Sequence, residues 1–221
     1  DTSGRAYAWG DNLYNQLGMS GTTPRLVPTL VPGSPSFMKL GVMPDSTSSY
    51  AITPSRQGFA WGRNYSGQLG IGSATPTGGT VGGVSTPTHM KGGLYSEIHG
   101  FGNRSVMLTT SGTVLSAGEQ PGGQASSPVA LPTGGLRFTT LGVDNHIVGV
   151  ALDGTVYTWG SNEEGERGDG TFRTAYLQTP WQVKSGGIPV RANRVFAGDR
   201  YTLALNGGRI LDFHVFVARS A

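Results

Sequence analysis

The dipeptide Trp-Gly stands in nearly the same surroundings three times: DTSGRAYAWGDNLYNQLG (1–18), SRQGFAWGRNYSGQLG (55–70) and LDGTVYTWGSNEEGERG (152–168). A weaker copy lies at Ala117-Gly118 and a degenerate fifth near Asp212-Phe213, so the copies follow one another at 52, 56, 42 and 53 residues. Self-similarity at such a period marks a repeat architecture, in which each unit is one supersecondary element that must be buried against its neighbours.

Each unit keeps one internal order. After the Trp-Gly comes an Asn turn and a Gln-Leu-Gly tongue: Asn12 with Gln16, Leu17 and Gly18, then Asn64 with Gln68, Leu69 and Gly70. A third tongue keeps Asn162 and Gly168 with Glu166 and Arg167 between them. A Pro-led extended stretch follows (86–93, 127–135, 179–187), then a strand ending in Gly (37–41, 95–100, 137–142, 194–198). Last is a hairpin whose first arm covers 50–53, 106–109, 148–152 or 201–205 and whose turn reads SGT (111–113), DGT (153–155) or NGG (206–208). Asp-Gly and Asn-Gly between apolar arms signal hairpins because their turns need φ > 0. The second arms lie near 5–10, 57–62, 113–118, 155–160 and 209–213, and in GTVYTWG they alternate side by side as a half-buried strand does.

Four short strands per unit make one antiparallel sheet that buries little alone. Radial stacking of such sheets gives a β-propeller. The expected fold is therefore all-β: one domain over residues 1–221, a small propeller of about four, at most five, four-stranded blades, or a fragment of a larger one. The 37 Gly and 13 Pro agree, since in a helix interior Gly costs about 1 and Pro about 3 kcal/mol.

These residues resemble the repeats of the regulator of chromosome condensation family, which carry G-x-x-H-x-x-A-L-x-x-D-G-x-V-Y-x-W-G followed by G-x-N-x-x-G-Q-L-G. The best match is residues 142–168, through Gly142, His146, Asp153, Gly154, Val156, Tyr157, Trp159, Gly160, Asn162 and Gly165. The resemblance covers nearly the whole chain. It implies a propeller whose members mostly bind proteins and usually have seven blades. Two departures stand out. The third unit has EQPGGQASS (119–127) in place of its Trp and tongue, and the second carries the low-complexity insertion GSATPTGGTVGG (72–83).

Charge excludes little by itself. The net of +3 rests on 16 basic residues that are scattered, the densest set being Arg191, Arg194, Arg200 and Arg209 without an aromatic platform, so no nucleic-acid partner is expected. With no Cys there are no disulfides and no thiolate sites. No apolar run reaches the length of a membrane span. The chain starts with Asp, which a cleaved signal peptide or trimming upstream would explain.

Candidate sites are few. Trp9, Trp61 and Trp159 repeat at one structural column and read as wedges between blades, whereas Trp181 follows Pro180 outside that column and reads as a protein-interface anchor. The four His show no metal-ligand spacing, and His146 falls where the family has a packed His. The tongue NEEGERGDG gathers Glu163, Glu164, Glu166 and Asp169, a solvated acidic loop with a protein contact as the alternative. Its counterparts carry Tyr14 and Tyr65, so Trp181, Glu163, Glu164, Glu166, Tyr14 and Tyr65 form the expected interface set. Loop 72–83 lacks the order of a phosphate-binding loop. No catalytic residue, metal or cofactor is expected.

The function expected is a non-enzymatic interaction or structural module, a subunit of an extracellular, cell-surface or virion surface assembly whose partners are neighbouring copies or a coat protein. A regulatory binder, such as a guanine-nucleotide exchange factor or an inhibitor of a secreted enzyme, is the second reading. A carbohydrate-active propeller drawing on Glu163, Glu164, Glu97 and Asp144 is the third. The opening DTSGRAYAWG aligns without gaps on TTSGTVLSAG (109–118), which puts residue 1 at a hairpin tip and predicts that strand 5–10 lies beside strands of the C-terminal unit.

Overall fold

The computed structural model describes residues 1–41, 46–75, 83–207 and the backbone of 215–216. All regular structure in it is β, as the repeat pattern predicts, and every pairing between strands is antiparallel. The chain divides into two compact units, residues 1–110 with 115–130, and residues 111–114 with 131–221.

In the first unit β1 (Tyr7–Gly10) pairs with β2 (Arg25–Leu30) across the first tongue. A complete blade follows: β3 (Lys39–Gly41), β4 (Ser48–Ile52), β5 (Gln57–Gly62) and the first half of β6 (Val84–Phe101). β6 is long because it bends at Gly92 and Gly93 and continues into the next blade, pairing there with β7 (Arg104–Thr109), then β8 (Val114–Gln120) and β9 (Gly123–Ala130). Tyr50, Leu69, Met90, Tyr95 and Met107 are almost fully buried in a core that both blades share. A second cluster, with Leu17, Val31, Phe37 and Trp61, seats the first tongue and the β1–β2 pair on the first blade.

The second unit holds one complete blade, β10 (Phe138–Val143), β11 (His146–Ala151), β12 (Val156–Asn162) and β13 (Arg173–Gln182). The small hairpin β14 (Lys184–Ser185) with β15 (Ile188–Pro189) leads to β16 (Arg194–Gly198), β17 (Tyr201–Leu205) and β18 (Val215–Phe216). Val148, Val150, Val156, Val183, Ala192 and Val195 pack between them. β11 is buried at every position, as a strand with neighbours on both faces must be.

The Trp-Gly column behaves in two ways. Trp61 and Trp159 are 4% and 1% exposed, pinned beside Phe37 and Phe138, whereas Trp9 is 60% exposed. Among the described residues the wedge expected of Trp9 is not made. The reason is visible at the following glycine. A Cβ on Gly62 would meet the Thr47 carbonyl oxygen at 2.6 Å, and one on Gly160 the His146 Cα at 2.8 Å, because each lies against the first arm of its own blade. Gly10 has the same left-handed backbone, φ +100°, with nothing within 4 Å. Its described partner is β2 alone. The expected second arm at 209–213, and with it the seam to residues 5–10, lies outside the described residues, as does 76–82 of the inserted loop.

Candidate protein-interaction rim

The three tongues are one structure built from the same bonds. The side-chain amide of the leading Asn donates across the loop, Asn12 to Gly21 O at 2.5 Å, Asn64 to Ser73 O at 2.7 Å and Asn162 to Thr171 O at 2.7 Å. Its oxygen accepts the backbone N–H five residues on, from Leu17, Leu69 and Arg167, each at 3.0 Å. Two turns follow in succession, with Asn15, Gly67 or Gly165 and then Gly18, Gly70 or Gly168 at positive φ. That backbone explains the glycine spacing of the motif, and Asn is the side chain that best tolerates it in Gly's place.

The next position is Gln16, Gln68 or Glu166, whose side-chain oxygen accepts the N–H of the tongue tip: Tyr14 at 2.8 Å, Ser66 at 3.0 Å and Glu164 at 2.9 Å. Its main-chain carbonyl takes a hydroxyl from the following strand pair, Ser49 to Gln16, Ser105 to Gln68 and Thr202 to Glu166. Glu166 is accordingly buried, 4% exposed, and is corrected from a solvated interface residue to a brace of the tongue. Its hydrogen bonds, from the backbone of Glu164 and from Ser161, outweigh burial and hold the carboxyl below the usual range.

The last tongue departs from the others at Arg167. Leu17 and Leu69 fill the cores at this position, but Arg167, 3% exposed, turns to Asp169 at 2.9 Å. A cavity of about 50 Å³ remains beside it, walled by Val156, Val183, Val190 and Ala204. Near it, His146 Nε2 stands 2.7 Å from the Thr202 hydroxyl. That hydroxyl donates its own proton to Glu166 O, so it accepts from His146, which is the neutral Nε2–H tautomer. Among the described residues Nδ1 is buried without a partner, and burial pushes the imidazole down to about 4.

What varies is the tips. In the first unit Tyr14 and Tyr65, from two different tongues, meet edge to face at 6.3 Å, both half-buried, and the Arg63 guanidinium lies 5.2 and 5.0 Å from their ring centres. Sequence reasoning chose the two tyrosines and missed Arg63, although it directly follows a Trp-Gly. The third unit's tongue is replaced by a tight turn between β8 and β9, and Glu119 there accepts from Ser66 and Asn103. In the second unit Glu163 is exposed and Glu164 pairs with Arg200 at 3.2 Å. Trp181 stands half exposed on β13, opposite Thr158. Of the other carboxylates considered for catalysis, Glu97 pairs with His99 at 3.0 Å and Asp144 accepts the N–H of Asn145. Among the described residues no three His, Asp or Glu gather as a metal site.

The family model described as the regulator of chromosome condensation (RCC1) repeat matches residues 3–42 and 153–205. The chain is 28% identical over 226 residues to the E3 ubiquitin-protein ligase HERC2 of Mus musculus, an alignment covering 91% of this chain and 4% of the ligase. Among solved structures, human WBSCR16 superposes with a TM-score of 0.71 at 20% identity, over 93% of this chain and 54% of that one. Prp20p of Saccharomyces cerevisiae, described with its binding properties to Gsp1p and histones, gives 0.64 at 22%, over 81% and 46%. This chain thus spans about half the length of those two structures and a small part of the ligase. Repeat, tongue and blade agree with these matches, and together they support a β-propeller built of regulator of chromosome condensation type repeats.

Proposed function

We propose that the chain is a non-enzymatic protein-binding module that meets its partner with the tongue rim. The observation that carries this is the division of labour within the tongues. Asn, Gln or Glu, and Gly hold the same hydrogen-bonded frame, while the tip residues change from Leu13-Tyr14 to Tyr65-Ser66 to Glu163-Glu164. Variable loops on a rigid scaffold are where binding resides. Tyr and Arg, clustered at one point of the first unit, are the side chains that most often anchor protein interfaces. Between the two binding roles, Prp20p with its Gsp1p and histone binding favours a regulatory binder. The surface-assembly reading drew on composition and on the start at Asp1, and gains nothing from these relatives. A photo-crosslinking residue placed at position 65 is expected to capture a discrete protein, which then binds the purified chain and loses at least tenfold in affinity against Tyr14→Ala/Tyr65→Ala. Equal capture from a control position at exposed Leu152, or unchanged affinity in the double variant, refutes the reading.

A further inference from the structure

We infer that Arg63 is the recognition centre of this rim and takes a carboxylate from an acidic segment of the protein partner, an inference that rests on the rim reading above. The residue directly after each Trp-Gly or its Ala-Gly counterpart occupies one backbone position, held by Asp11, Arg63, Glu119 and Ser161. Three of the four are hydrogen-bonded through their side chains within their own rim. Asp11 accepts from Gln16 at 2.6 Å, Glu119 from Ser66 at 3.1 Å, and Ser161 donates to Glu166 at 3.1 Å. Arg63 is not. Its backbone is fixed, N–H to Thr47 O at 3.0 Å and carbonyl to the Ser48 hydroxyl at 2.7 Å, yet among the described residues its side chain makes no hydrogen bond or ion pair. Arg5, Arg167 and Arg200 all have carboxylate partners. The Arg63 Nε is buried and unsatisfied.

Two tyrosine faces hold the cation by electrostatics and restrict its rotamers, but an aromatic face accepts none of its directional N–H bonds. The missing chemistry is a planar acceptor for a fork of donors, which a carboxylate supplies in bidentate form. Because the tyrosines already order the guanidinium, little entropy is left to lose on binding. A lysine ammonium lacks the fork and would not substitute.

The test uses the whole chain with ¹⁵N-labelled arginine, at low salt. A capped tetraglutamate peptide is titrated against capped tetraglutamine, following the Arg63 Nε–Hε signal, assigned by its loss in Arg63→Lys. The expected result is a saturable shift of that signal with tetraglutamate only, affinity at least tenfold weaker in Arg63→Gln, and an intermediate, severalfold loss in Arg63→Lys. A silent Arg63 signal, an equal response to tetraglutamine, unchanged affinity in Arg63→Gln, or tighter binding of inorganic phosphate than of the peptide overturns it. The two readings fail separately: crosslinking from position 65 that persists with affinity unchanged in Arg63→Gln leaves the rim standing and removes the carboxylate.

Discussion

Acid should loosen the second unit well above the pH at which carboxylates titrate, and His146 is the reason. Its side chain is fully buried, its Nε2–H is committed to Thr202, and the only site for a second proton is Nδ1, which no partner faces. The imidazole is held down at about 4 against an ordinary 6.5, chiefly by desolvation, with Glu166 opposing the shift. Between those two pH values the unfolded chain binds a proton that the folded chain refuses. Stability therefore falls as pH falls through that window, and the loss is complete near the folded value. Across the full window it amounts to about 3 kcal/mol, a large part of a typical domain's margin.

The assay is urea denaturation at pH 4.5 to 7.5, paired with the imidazole Hε1 titration of His146 by NMR. His146→Gln keeps a donor within reach of Thr202 and cannot titrate. It is expected to start less stable at pH 7, because the ring packing is lost, and then to stay flat where the parent chain declines. A His146 that titrates near 6.5, or a parallel decline of parent and variant, refutes the tautomer and burial argument together.

Glu166→Gln restores the residue of the other two tongues and should cost less than about 1 kcal/mol at pH 7. Because the folded Glu166 carboxyl lies below its unfolded value, its contribution is present above the unfolded value and lost as pH falls through the folded one; denaturation below pH 4.5 should be flatter in the variant. Arg167→Leu with Asp169→Asn places leucine where Leu17 and Leu69 sit, removes both members of the buried pair and fills the cavity; thermal unfolding should show a neutral change or a gain of about 1–4 kcal/mol, and a loss beyond 3 kcal/mol would contradict the cavity reading. Gly62→Ala and Gly10→Ala carry the same backbone strain, about 1–3 kcal/mol, but only the first drives a Cβ against backbone. Chemical denaturation should find Gly62→Ala at least twice as costly, and equal losses would show that the Thr47 contact is not what fixes that glycine.

The blades were legible in the sequence because hairpin turns and alternation are local signals. Strands at 57–62 and 148–151 need no distant information to be read. The tongue frame was legible as a spacing, but its bonds were not, and this is where Glu166 misled. Its charge suggests solvent, while its position after Asn162 places it in the column of Gln16 and Gln68, where an acceptor oxygen is all that the Glu164 N–H requires. Trp9 differs from its two counterparts. The motif is intact, but among the described residues only β2 lies alongside β1, and no motif reports which strands flank a given arm.

The two buried tryptophans differ in one polar contact. Trp61 donates its indole N–H to the Gln16 carbonyl of the preceding tongue at 2.9 Å. Among the described residues the Trp159 Nε1 is buried without an acceptor. A buried donor left unmade costs about 1–3 kcal/mol, so the Trp159 ring is held less firmly than that of Trp61. Where the tongue is replaced, the turn between β8 and β9 closes on the previous tip instead, through Glu119 and Gln124 to Ser66. In a repeat protein each unit supplies part of its neighbour's polar satisfaction. The replaced copy therefore braces the tongue before it from the side, and that tongue carries Tyr65, where Arg63 and the two tyrosines converge.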